Sequence, residues 1–320
     1  MMILPVLAGL AVAAGGSALW WNRQLARKAE RRFPPLGRFI KVAGLRLHYL
    51  DRGRGPAIVL LHGANGSLRD WLPGIVERLE QDFRVIAFDR PGHGFSDPLP
   101  PGESPTPAAQ ARILRAAIRQ LGIERPILGG FSLGCSLVAA WGLAWPDEVG
   151  AGVMLAGALQ DWPTPTARIY DLPAVPVVGR LAVEMLSMPL GRLLAARWID
   201  GVFAPDPVPE GFAAAPVALA ARPQSFLVNA AERRLIKRFL AEQSRHYRDF
   251  KPPLVLLAGD GDRVVSTDIH SRQMHEAVPG SELTVLPGAG HMLPYCHPDD
   301  CVAAIRRGHD LARRTMPASA

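Results

Sequence analysis

The chain of 320 residues contains three cysteines, Cys135, Cys296 and Cys301. They are too few and too irregularly spaced for a disulfide framework or a zinc site, so they read as thiols in a reduced compartment. No charged side chain occurs from Met1 to Trp21. A cleaved signal peptide needs basic residues ahead of its apolar stretch; here they come after it. Acidic residues are nearly absent from the segment that follows. Between Arg23 and Arg54 ten basic residues face only Glu30 and Asp51, a local +8 in a chain whose net charge is +7. The remainder is therefore −1, and the basicity belongs to one segment. No aromatic-interleaved basic face accompanies it, which argues against a nucleic-acid partner. Apolar residues make up 48% of the chain, enough for a full core and incompatible with global disorder.

The uncharged N-terminal run ends in Trp20-Trp21 and is followed at once by Arg23 to Arg32. About 20 apolar residues match one bilayer crossing, and tryptophans suit the interface. The expectation is a membrane anchor at residues 1–22, a basic linker at 23–37, and the rest of the chain held on the cytoplasmic side by the positive-inside rule. The membrane would then be a partner through this segment.

From residue 38 onward, strand and helix signals alternate. Arg38 to Val42 and Leu45 to Leu50 read as a hairpin around Ala43-Gly44. Ala57–Leu61 is continuously apolar, as a strand buried on both faces should be, and Arg84–Phe88, Pro126-Ile127-Leu128, Gly152–Ala156 and Leu254–Ala258 read as further buried strands. Glu282–Leu286 is a further strand. Helices are expected at Trp71–Gln81, Pro107–Leu121, Cys135–Trp145, Thr267–Ala277 and Pro298 to about Arg313. Such alternation implies an α/β fold, a mostly parallel eight-stranded sheet with helices on both faces. It stops between 160 and 250, a proline-bearing span with short helical pieces at Val183–Met188 and Leu190–Trp198 and a longer one at Asn229–Tyr247. The expected layout is a core at 38–159 and 251–314, an inserted helical cap at 160–250, and a tail at 315–320.

Gly130-Phe131-Ser132-Leu133-Gly134 lies between a strand and a helix. In that setting G-x-S-x-G places a serine on a sharp turn with its hydroxyl above the sheet; alone, the same pattern also fits an ordinary turn with a solvated serine. A serine hydroxyl is a weak nucleophile and needs a base, a group to orient the base, and donors for the oxyanion. His291, directly after the last strand, is the candidate base. Asp262, directly after the preceding strand, is the candidate orienting acid. Asp260 competes with it from two residues away, and Asp161 after the sixth strand is a remoter alternative. His297 reads as a surface residue.

These motifs together resemble the α/β-hydrolase family over about Arg38 to Arg313. They are His62-Gly63-Ala64, Asp89-Arg90-Pro91-Gly92-His93-Gly94-Phe95-Ser96, the serine turn, Gly259 to Asp262, and Gly290-His291. The resemblance implies that Ser132 is the nucleophile, His291 the base and then the acid, and Asp262 the residue that fixes the imidazole tautomer. It implies oxyanion donors at the backbone N–H groups of Ala64 and Leu133, and structural roles for His62, which shapes the oxyanion loop, and for His93. Members that open epoxides or displace halide carry aspartate where Ser132 stands, so those reactions are not expected. Asn65 and Trp71 are candidate substrate-binding residues, although Trp71 could equally pack the first helix. No metal or cofactor is implied. The expected activity is hydrolysis of a carboxylic ester, plausibly apolar or lipid-like, through an acyl-enzyme. Cleavage of a carbon–carbon bond or perhydrolysis by the same three residues is the alternative, and a non-catalytic membrane accessory protein is a third.

Overall fold

A computed structural model describes residues 3–72, 74–161, 167–210, 212 and 215–315. Eight strands form one sheet: β1 (Arg38–Val42), β2 (Leu45–Arg52), β3 (Ala57–Leu61), β4 (Arg84–Phe88), β5 (Ile127–Phe131), β6 (Ala151–Leu155), β7 (Leu254–Gly259) and β8 (Glu282–Leu286). Their spatial order is β1-β2-β4-β3-β5-β6-β7-β8. The β1–β2 and β2–β4 pairs are antiparallel and the other pairs are parallel. Ten α-helices are described: α1 (Ile3–Arg32), α2 (Val76–Leu79), α3 (Pro107–Gln120), α4 (Leu133–Ala144), α5 (Val178–Phe203), α6 (Ala215–Ala220), α7 (Pro223–Gln243), α8 (Gln273–Ala277), α9 (Leu293–Cys296) and α10 (Pro298–Thr315).

Period-two alternation along the strands divides the core into two layers. On β3, Val59 and Leu61 join the layer containing α3 and α4 residues such as Leu114 and Leu137. Ile58 and Leu60 join the layer of α2 and α10, with Val76 and Ile305. Because all the central strands run the same way, their carboxyl ends open on one edge of the sheet, where loops build sites in open α/β folds.

The N-terminal segment departs from the membrane-anchor expectation. Among the described residues no helix is long and apolar enough to cross a membrane. The physical reason is composition: residues 8–18 are dominated by alanine, glycine and serine, which extend a helix without giving it the hydropathy of a bilayer span. The placement on the cytoplasmic side rested on that crossing and falls with it. The basic stretch is not a linker up to Arg32 either. Its alanine, leucine, lysine and arginine are good helix formers, so α1 runs through it and stops before Pro34-Pro35.

The second half of α1 packs on the segment between β6 and β7. Ala29 is buried against Met188 and Ala221, and Glu30 pairs with Arg222 at 2.8 Å. Buried Asn22 donates to the Glu184 carbonyl at 2.8 Å and accepts from the Met188 N–H at 2.9 Å. Those two groups belong to one turn of α5, immediately before Pro189. A proline inside a helix disturbs that turn, and the Asn22 carboxamide serves both of its polar groups. The two pieces expected on either side of Pro189 are consequently one helix.

Other boundaries moved for local reasons. The span predicted as a helix at Trp71–Gln81 is a 3₁₀ turn (Leu68–Trp71), capped by Ser67 and Asp70, followed by α2. The helix expected at Asn229–Tyr247 starts earlier, with Pro223 at its first position, where a missing N–H costs nothing. It ends in a 3₁₀ turn (Ser244–Asp249). Residues 316–320 of the expected tail lie outside the described residues.

Candidate active site

The chain turns sharply at Ser132, between β5 and α4, with φ 52° and ψ −118°. A positive φ is strained for any residue with a Cβ. The surroundings hold it: the Ser132 N–H donates to the Leu155 carbonyl at 2.9 Å, and the Ser132 carbonyl accepts from Ala158 and Cys135 at 3.0 and 3.1 Å. Glycine is needed on both sides because neighbouring backbone closes in. A Cβ on Gly134 would lie 2.1 Å from the Leu61 carbonyl oxygen, and one on Gly130 would lie 2.7 Å from the Cys135 nitrogen.

The loops after β7 and β8 bring Asp262 and His291 to this turn. His291 Nε2 lies 3.0 Å from Ser132 Oγ. His291 Nδ1 lies 2.7 Å from Asp262 Oδ2. Asp262 Oδ1 accepts from the backbone N–H groups of Val264 and Val265, both at 2.8 Å. The carboxylate therefore requires its imidazole partner to carry the proton on Nδ1, which leaves the Nε2 lone pair facing the serine hydroxyl. All three side chains are buried, and the Phe131 ring lies 5.2 Å from the His291 ring.

Asp260 is turned elsewhere: it is exposed and accepts from the Gly288 N–H at 2.5 Å. Asp161 is exposed as well. His297 faces Asp206 at 3.4 Å. Leu133 and Ala64 pack in one small apolar cluster with Ile236 and Leu240 of α7. Among the described residues, neither of their N–H groups has a protein acceptor. Asn65 exchanges two hydrogen bonds with Asn229 of α7: its N–H donates to Oδ1 at 3.1 Å, and its Oδ1 accepts from Nδ2 at 2.5 Å. Trp71 corrects the substrate-binding expectation. It is fully buried in the α2 and α10 layer with Leu68 and Ile75, because the turn that carries it points the indole inward.

Above the loops lies a cavity of about 300 Å³. Its walls come from α5 and α7 and the turn between β6 and α5, including Tyr170, Leu172, Val183, Leu194, Trp198 and Phe226. It reaches the core at Asn65, next to Ala64, and Arg197 is the only charged residue in its lining among the described residues.

The sequence model of the α/β-hydrolase family matches residues 58–304. The chain belongs to the α/β-hydrolase family. An uncharacterized protein of Mycobacterium tuberculosis is 29% identical over 276 residues, 81% of this chain and 76% of that one. A 2-hydroxy-6-oxononadienedioate/2-hydroxy-6-oxononatrienedioate hydrolase of Escherichia coli is 28% identical over 273 residues, 80% of this chain and 88% of that one. Among solved structures, a bacterial membrane phospholipase A superposes with a TM-score of 0.65 at 21% identity, over 98% of this chain and 97% of that one. At that identity the likeness concerns the fold.

In this α/β-hydrolase several residues around the site carried no sequence signal. His270, in a π-helical turn (Asp268–Arg272), accepts on Nδ1 from the N–H groups of Leu159 and Gln160 at 3.1 and 2.9 Å. Burial lowers its pKa to about 4, so it fixes the loop after β6 as a neutral imidazole. Asn229 and Glu232 sit three residues apart on α7 and so share one helix face. Ser225 stands on the same face, so nothing sets the pair apart in the sequence, and its partners are more than 100 residues away.

Proposed function

We propose that the protein is a serine hydrolase that cleaves carboxylic esters bearing an apolar group. Ser132 Oγ attacks the ester carbonyl carbon while His291 Nε2 takes the hydroxyl proton. Asp262 holds the imidazole and stabilises the imidazolium. The tetrahedral oxyanion sits against the N–H groups of Leu133 and Ala64. It collapses to an acyl-enzyme as His291 returns the proton to the departing alkoxide. Water then repeats the sequence and releases the acid. The observation that carries this reading is the continuous relay from Ser132 Oγ through His291 to Asp262, at 3.0 and 2.7 Å.

The cavity supports an apolar substrate: Ser132 and His291 are not in its lining, but it meets the site at Asn65, beside the proposed oxyanion donor Ala64. Its lining is mostly aliphatic and aromatic, which favours an acyl chain or an apolar alcohol. A dioate such as that named for the E. coli relative carries two carboxylates, and the described lining offers only Arg197 as a cation. This favours ester cleavage over the carbon–carbon alternative.

The test is labelling with a fluorophosphonate, followed by an ester series of increasing acyl length. The native chain should label and Ser132→Ala should not, with turnover reduced on the order of 10⁶-fold. Absence of labelling and turnover in folded native protein would overturn the reading. Activity confined to the shortest acyl chains would overturn the apolar substrate.

A further inference from the structure

Arg90 is fully buried, and its guanidinium bridges the loop after β3 and helix α7. Nε donates to the His62 carbonyl at 2.9 Å, and Nη2 to the Gly63 carbonyl at 3.1 Å. On the other side it meets Glu232 of α7, Nη1 to Oε1 at 2.6 Å and Nη2 to Oε2 at 3.3 Å. Gln110 Nε2 donates to Glu232 Oε1 at 2.8 Å, and His93 Nε2 faces Oε2 at 3.1 Å. A buried charge with so many partners is held in one place.

The Gly63 carbonyl has a second donor. His62 Nε2 accepts from the Arg90 N–H at 2.9 Å, so the His62 proton is on Nδ1, which lies 2.8 Å from Gly63 O. Burial, together with the Arg90 charge, keeps the His62 imidazole neutral by lowering its pKa well below the ordinary value. Gly63 O thus accepts from an imidazole at 2.8 Å and a guanidinium at 3.1 Å, and more distantly from the Gly66 N–H at 3.4 Å. Gly63 C=O and Ala64 N–H belong to one peptide group, and in a trans peptide these two bonds point in opposite directions. Whatever holds Gly63 O therefore aims the Ala64 N–H.

We propose that Arg90 and Glu232 are positioning residues for the oxyanion donor: Glu232, on α7, aims the Arg90 guanidinium at Gly63 O and thereby orients and polarises the Ala64 N–H. The site is then complete only when α7 is seated. This inference rests on the serine-hydrolase reading above and adds to it a coupling between α7 and the oxyanion loop. Asn229 reinforces the seating two residues along the same loop, through its two hydrogen bonds to Asn65.

Arg90→Lys tests the inference directly. It keeps the charge opposite Glu232 but loses the fork that spans His62 O, Gly63 O and the carboxylate. The partner test is the charge-free pair Arg90→Met with Glu232→Met, since an apolar replacement of a buried ion pair can preserve folding where a single change would not. Folding is checked by thermal melting. Kinetics use a soluble ester, with a boronic acid whose tetrahedral adduct on Ser132 places an oxygen at the oxyanion position. The expected result is a kcat lower by roughly 10–10²-fold with KM within about twofold, and boronate affinity lower by the same factor as kcat. Unchanged kcat in either folded variant would overturn the proposal, as would a change confined to KM. An Arg90→Lys chain that fails to fold would assign the guanidinium to stability and overturn it too. A native chain without fluorophosphonate labelling or turnover would instead remove the serine-hydrolase reading beneath it.

Discussion

The two sides of the candidate site are built by opposite rules. Beneath Ser132, backbone approaches backbone. Gly134 leaves no room for a methyl group beside Leu61, and the serine's own N–H and carbonyl are tied to neighbouring strands and loops. On the other side, α5 and α7 wall an apolar cavity that meets the loop after β3 at Asn65, and several α5 side chains, Leu181, Leu186 and Leu193 among them, remain exposed. The lower side is over-determined and leaves little freedom in where the reacting atoms sit. The upper side is bounded by side chains, so its shape changes with single substitutions. On the proposed reading, chemistry and substrate choice are carried by different parts of one fold.

Three measurements would sharpen or break that division. The largest effect belongs below. Asp262→Asn keeps the shape but presents an amide N–H₂ or carbonyl to His291, which favours the wrong tautomer. We expect kcat to fall on the order of 10⁴-fold with little change in KM, and a fall of less than tenfold would show that Asp262 is not the orienting acid. A smaller effect belongs above. Ala195→Phe on α5 intrudes on the cavity and should lower kcat/KM for long acyl esters by roughly tenfold or more relative to short ones, leaving kcat for short esters unchanged. Equal losses across the series would place acyl chains elsewhere.

The third effect concerns stability. Asp70 is buried on the core side, where it accepts from the Tyr295 hydroxyl at 2.8 Å and the Ser67 N–H at 3.3 Å. Burial raises its pKa from 3.8 to about 7. The folded chain therefore holds this proton more tightly than the unfolded chain. The sign follows: the contribution is full below about pH 4, is lost as pH climbs towards 7, and is flat beyond. Asp70→Asn should remove this slope. Urea midpoints of native and variant, compared at about pH 4.5 and about pH 8, should show the native chain losing ground at the higher pH; a pH-independent difference would mean that Asp70 stays ionised throughout.

The sequence made the lower side legible because its signals are local. Continuous apolar runs located the inner strands, glycines flanked Ser132, and Asp262 and His291 each followed a strand directly, and the structure brings the three side chains together. The upper side depends on partners distant in sequence. Nothing near Pro189 announces that Asn22 will serve the turn before it, so the span looked like two helices. Nothing around Arg90 announces Glu232, which lies 142 residues away. Trp71 was ambiguous for the same reason, since an indole suits either a pocket or a core and only the turn that carries it decides. The N-terminal run misled in another way: its length fitted a bilayer, but its alanine and glycine content did not.

Asn22 also has a consequence for the order in which the molecule assembles. Its carboxamide closes on groups 162 and 166 residues further along. Loops of that span are slow to close and are rewarded only late. As the polypeptide leaves the ribosome, α1 emerges ahead of the sheet and has nothing to dock on until β1 through β6 have been synthesised and α5 has followed. This early helix thus waits for its α5 contacts until 166 further residues have been made, and α5 passes through its proline with that turn unserved until the two meet.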